Sequence, residues 1–104
     1  MTKQYPLVLF MKGTPESPMC GFSRRVVDIL VRHNTVINSV DVIANAELRE
    51  EAKLFSHWPT FPQLYVGGKF VGGCDIVTQL HEGGELGPML KEAGAVQASE
   101  KSAA

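Results

Sequence analysis

Apolar residues follow two rhythms along this chain, and the changes between them mark out the elements. Leu7-Val8-Leu9-Phe10-Met11 is an unbroken apolar run closed by Lys12-Gly13, which suits a short strand covered on both faces. The next stretch carries Pro15 and Pro18 and cannot stay helical for long. From Phe22 to His33 the period becomes helical: Phe22, Val26, Val27, Leu30 and Val31 form one face, and Arg24, Asp28 and Arg32 recur every four residues on the other. Val36 to Val42 reads as a second strand. Asn45 is placed to cap a helix with an apolar stripe of Leu48, Ala52 and Phe55, ending before Pro59. Leu64-Tyr65-Val66 and Lys69-Phe70-Val71 flank Gly67-Gly68, a pair able to take the positive φ angles of a tight hairpin. Asp75 is placed to cap a helix through about His81, and a last short helix follows Gly84 and ends near Gly94.

This order, β-α-β then α, a hairpin and closing helices, predicts an α/β fold: a four-stranded mixed sheet flanked by helices on both faces. Phe22, Val26, Leu30, Leu48 and Phe55 are then expected to pack onto the sheet as core. A chain of 104 residues, 44% hydrophobic and 20% charged, has room for one domain with one core. That domain is expected over residues 1–96, with the small, polar stretch 97–104 as a disordered tail. A formal net charge of -1 with no basic run argues against broad nucleic-acid binding. The longest early apolar run is far short of the roughly 20 residues that span a bilayer. The N-terminus does not read as a signal or transit peptide, so the expected setting is the cytoplasm or, for a matured form, the mitochondrial matrix. Two widely separated cysteines make no secreted disulfide framework and fit a reducing compartment.

Chemistry concentrates at Cys20-Gly21-Phe22-Ser23. A thiol at the start of a helix faces unpaired N–H groups and the positive end of the macrodipole, so Cys20 is expected to be acidic. Pro18 helps fix the loop presenting it, and Gly21 keeps its flank clear. With Ser23 where a Cys-x-x-Cys pair would place a second thiol, a mixed disulfide or metal-bound thiolate at Cys20 has no neighbouring resolving group. A thiol must come from outside. His33, His57 and His81 lack metal-ligand spacing with Cys20 and read as surface or packing residues.

Lys12-Gly13-Thr14-Pro15 leading to Cys20-Gly21-Phe22-Ser23, then Trp58-Pro59-Thr60-Phe61-Pro62-Gln63 and Gly72-Gly73-Cys74-Asp75-Ile76, together resemble the CGFS-type monothiol glutaredoxins in their single-domain form, from about Leu7 to about Leu90. The resemblance implies the thioredoxin-like (glutaredoxin) fold and glutathione as the outside thiol. It makes Cys20 the catalytic and metal-binding thiolate, and Lys12 and Arg49, less firmly Lys53, ligands of the glycyl carboxylate. It further implies that the Phe61–Pro62 bond is cis and that Phe61 binds the glutathione backbone through its main chain. Gly72-Gly73-Cys74-Asp75 suits the γ-glutamyl end, since a helix N-terminus offers N–H groups to a carboxylate and Asp75 can accept from an ammonium.

A [2Fe–2S] cluster takes four thiolates, more than one chain offers. The resemblance implies that two chains and two glutathiones supply them, the cluster bridging a homodimer. The leading expectation is therefore a carrier that hands clusters to apo iron–sulfur proteins. The alternative is a glutathione-dependent oxidoreductase, with weak activity, that removes glutathione from protein thiols. BolA-like proteins are a further partner that the resemblance implies. Cys74 carries two readings: a regulatory disulfide with Cys20, or a role through its backbone N–H alone.

Overall fold

The computed structural model describes residues 4–97. Strand β1 (Leu7–Met11) lies inside a four-stranded sheet of order β4-β1-β5-β6, where β4 is Asn38–Asp41, β5 Gln63–Val66 and β6 Lys69–Gly72. β4 runs parallel to β1, whereas β5 and β6 are antiparallel to their neighbours, so the expected mixed sheet is present. A small hairpin of β2 (Gly13–Thr14) and β3 (Ser17–Pro18) occupies the proline-bearing loop. Its strands are too short to leave a periodic signature.

All five side chains of β1 are buried, and alternation along a strand sends them to opposite faces. Leu7, Leu9 and Met11 join Val26, Leu30, Leu64, Val77 and Leu90 beneath α1 (Gly21–Arg32), α3 (Cys74–Glu82) and α4 (Leu86–Glu92). Val8 and Phe10 turn the other way, to Val42, Ala52, Phe61 and Tyr65, on the side of α2 (Ala46–Ser56). Full burial of one such side chain contributes about 1.5–3 kcal/mol. The β5–β6 hairpin turns on Gly67 and Gly68 with φ of 60° and 81°, both in the left-handed region that a two-residue turn of this kind requires. Among the described residues no helix is long and apolar enough to cross a membrane.

Several expectations need correcting. Phe22 is 64% exposed and Phe55 61% exposed, so neither is core, and Val31 is also exposed. The buried arc of α1 is Ser23, Val26, Val27, Ile29 and Leu30; Phe22, about 100° round the helix from Ser23, points away from the sheet. Leu48 is only half-buried. The second strand is shorter than Val36–Val42 because Thr35 bridges Val96 and the Val36 N–H donates to the Ala95 carbonyl at 2.8 Å. Ala95 and Val96 thus pair with Thr35 and Val36 outside the four-stranded sheet. Gly73, not Asp75, is the N-cap of α3, and Asn45 caps α2 without a side-chain hydrogen bond. Of the expected tail, Gln97 donates its N–H to the Asn34 carbonyl, and 98–104 lies outside the described residues.

One contact between helices has no counterpart in the periodicity. His33, the C-cap of α1, and His81, in the last turn of α3, place Nε2 and Nδ1 3.0 Å apart. One ring donates and the other accepts, which requires at least one neutral ring at the shared contact. Burial, and then the nearby His81, hold the His33 pKa below its ordinary value. The unfolded chain therefore binds a proton more readily there, and the stability that the pair contributes is present above about pH 6.5 and lost as pH falls through the folded-state value.

Two measurements check this packing. In urea, Leu9→Ala is expected to cost about 2–5 kcal/mol, whereas Phe55→Ala costs about 1 kcal/mol or less; equal losses would contradict the assignment of Phe55 to the surface. The melting temperature of the native chain should drop between pH 7 and pH 5 by more than that of His33→Gln, and parallel curves would remove the histidine pair from the pH response.

Candidate functional site

Cys20 is the N-cap residue of α1, with an extended backbone and a sulfur that accepts the Ser23 N–H at 3.3 Å. Ser23 is wholly buried, and its hydroxyl oxygen lies 3.3 Å from the same sulfur. The Lys12 N–H donates to that oxygen at 3.2 Å. With one lone pair so engaged, the Ser23 O–H remains free to donate to a thiolate. Burial pushes the Cys20 thiol up, but the Ser23 hydroxyl, the Ser23 and Phe22 backbone N–H groups and the Lys12 charge together outweigh it, and the thiol sits below its ordinary pKa. The expectation of an acidic Cys20 thus has a second cause beyond the helix end. Ser23, which the sequence offers merely as the absence of a second cysteine, is its main source.

Beside this thiol runs a groove of ≈ 810 Å³, within the range of small-molecule sites. Lys12, Arg49, Phe61, Cys74 and Asp75, assigned together from sequence, all line it, and so does Lys53. Cys20 itself is outside the lining, next to Phe22, which is part of it. Lys12 extends from the end of β1. Arg49 and Lys53 stand one turn apart on α2, and Glu50 Oε2 lies 3.4 Å from Arg49 Nε and 3.3 Å from Lys53 Nζ. Glu50 therefore neutralises part of their mutual repulsion, and contact with Lys53, then Arg49, holds its carboxyl below the usual value. Cys74 and Asp75 occupy the first turn of α3, so the groove sees an acid and the N–H groups of a helix start.

The wall between these groups is built by a buried amide. Gln63, fully buried in β5, donates from Nε2 to the carbonyls of Trp58 at 2.8 Å and Thr60 at 3.2 Å, while its Oε1 accepts from the Tyr65 hydroxyl at 3.3 Å. This holds the segment that runs into the Phe61–Pro62 bond, which is cis as the resemblance implied. Trp58, which packs on Phe70 with ring centroids 5.6 Å apart, and Phe22 also line the groove. Aromatic residues predicted as core or left without a role here form its apolar surface. Among the described residues no three His, Cys, Asp or Glu side chains converge as a metal site, and both cysteines are free thiols.

A thiolate capping a helix beside a groove of opposite charges, on a sheet of this order, defines a thioredoxin-like thiol protein. A family model for glutaredoxin matches residues 7–71. Over 89 residues the chain is 55% identical to the probable monothiol glutaredoxin 2 of Rickettsia felis, covering 86% of each. Over 97 residues it is 52% identical to the mitochondrial monothiol glutaredoxin-5 of Schizosaccharomyces pombe, covering 90% of this chain and 66% of that one. It is 52% identical to monothiol glutaredoxin-S11 of Oryza sativa but spans 19% of that relative's length. The crystal structure of a buckwheat glutaredoxin–glutathione complex superposes with a TM-score of 0.82 at 28% identity, covering 92% of this chain and 86% of that one. The chain belongs to the glutaredoxin family, in its monothiol branch.

Ser23→Ala removes the hydroxyl donor, so the midpoint of the pH profile for iodoacetamide alkylation of Cys20 should move upward. The limiting rate at high pH should rise as well, because thiolate nucleophilicity grows with pKa. An unmoved midpoint would leave the backbone N–H groups at the helix start and the Lys12 charge as the causes of the acidity.

Proposed function

We propose that this protein is a glutathione-dependent carrier of [2Fe–2S] clusters, delivering them to apo iron–sulfur proteins in a reducing compartment, the mitochondrial matrix or the cytoplasm. The observation that carries the reading is an activated, accessible Cys20 thiolate with Ser23 in the place of a resolving thiol, beside a groove with one cationic and one acidic end. Glutathione fits that groove by chemistry. Its glycyl carboxylate is matched by Lys12, Arg49 and Lys53, its central backbone by the main chain of Phe61, and its γ-glutamyl group by Asp75 and the N–H groups at Cys74. Bound in this direction, its own thiol would lie alongside Cys20.

The cluster is cargo. One Cys20 and one glutathione supply two of the four thiolates it takes, so two copies with two glutathiones complete the set. Met19 and Phe22, 65% and 64% exposed beside Cys20, give an apolar rim that a second copy or a recipient protein would cover. Half of the ligands are exchangeable small molecules, which favours hand-over rather than permanent storage. Cys74 contributes through its backbone N–H.

The lowered Cys20 pKa also supports a second reading, removal of glutathione from protein thiols. Cys20 thiolate attacks the glutathione sulfur of a mixed disulfide and expels the protein thiolate. A second glutathione thiolate then attacks the Cys20-bound sulfur, forming glutathione disulfide and regenerating Cys20. An acidic thiol is a good leaving group in that last step.

Anaerobic reconstitution with iron, sulfide and glutathione decides between the readings. The native chain is expected to give a coloured species eluting as a dimer, and Cys20→Ser a colourless monomer with an unchanged far-ultraviolet spectrum. A colourless native chain that still turns over glutathionylated substrates would select the oxidoreductase, and full cluster retention by Cys20→Ser would remove Cys20 as a ligand.

A further inference from the structure

We propose that Asp41 is a positioning residue for the cationic end of the groove, fixing Lys12 relative to Arg49 and Lys53 and thereby setting the preference for a ligand that ends in a carboxylate. The inference rests on the reading that the glycyl carboxylate of glutathione lies there. Asp41 closes β4 directly opposite Met11. One oxygen, Oδ1, accepts the Gly13 N–H at 3.0 Å and the Ile43 N–H at 2.9 Å. The first bond fastens the residue that follows Lys12. The second fastens the turn that leads into α2, which carries Arg49 and Lys53. A single atom thus ties together the two segments that supply all three cations.

The corner it holds has little freedom. Gly13 has a φ of +90°, and a Cβ there would lie 2.5 Å from the Ser17 carbonyl oxygen, so no other residue type is accommodated without a shift. The Lys12 main chain is held on its remaining sides by the bond from its N–H to Ser23 Oγ at 3.2 Å and by the Met19 N–H donating to its carbonyl at 2.8 Å. Only the flexible stem of Lys12 is free to search. Where its ammonium reaches is decided by the base from which it starts. The Gly13 N–H, with further N–H groups from Ile43 and Ala44, holds the Asp41 carboxyl below its ordinary pKa against a smaller opposing effect of burial, so the acceptor is ionised at neutral pH.

The test uses two unreactive probes, S-methylglutathione and its glycyl ethyl ester, titrated into the reduced protein and followed by amide NMR shifts. The native chain is expected to bind the free acid about tenfold more tightly than the ester, the difference one charge-assisted contact makes. In Asp41→Ser the hydroxyl can still accept from Ile43 two residues on, as serine turns do, but is one bond too short to span to Gly13. Its preference should shrink to about threefold or less, with ester affinity kept, because only the charge-assisted contact is displaced. Asp41→Asn keeps an acceptor oxygen at the same reach and should restore the native preference. The inference is overturned if Asp41→Ser keeps the native preference, if it loses acid and ester affinity together, or if Asp41→Asn behaves like Asp41→Ser. A native chain that does not distinguish the probes overturns the placement of the glycyl carboxylate itself, an outcome separate from the other three.

Discussion

Five consecutive side chains of β1, Leu7 to Met11, leave no face of that strand to water, and the rest of the molecule is arranged around meeting this condition. A single layer of helices would cover three of the five at best, because alternate residues point to opposite sides. Helices are therefore required on both faces, and α1, α3 and α4 take one side while α2 takes the other. Lys12 directly follows the strand, so an element buried on both faces delivers the first cation to the groove. Site and core share one backbone.

Beyond the strand, the chemistry depends on where buried polar groups find partners. Ser23 and Gln63 are both fully buried, and each would be costly if left unpaired. Ser23 is satisfied by the Lys12 N–H and the Cys20 sulfur, which joins the thiol to the end of β1. Gln63 is satisfied by the Trp58 and Thr60 carbonyls and by Tyr65, which joins the groove wall to the middle of the sheet. The same bonds that make burial tolerable position the reactive and binding groups.

Much of this is legible in the sequence, and what is not has definite causes. The mixed sheet, the hairpin and the order of helices follow from apolar runs, a Gly-Gly turn and helical periodicity, because those signals are local and repeated. The lining positions Lys12, Arg49, Phe61, Cys74 and Asp75 are found through motifs spread over separate segments. Phe22 and Phe55 are misread because periodicity identifies an apolar face without saying whether sheet, ligand or solvent meets it. The bonds that join Ser23 to Lys12, Asp41 to Gly13 and His33 to His81 are missed because they span 11 to 48 positions. A small polar residue carries no mark of a distant hydrogen bond.

Glu50, set between Arg49 and Lys53, shapes how strongly the groove can hold any anion. The two cations already have a resident partner on their own helix, so an arriving carboxylate exchanges with it instead of meeting bare charge. The net gain is the difference between two similar contacts, both exposed to solvent and screened by salt. With Glu50 in place, the empty groove carries no bare pair of like charges on α2.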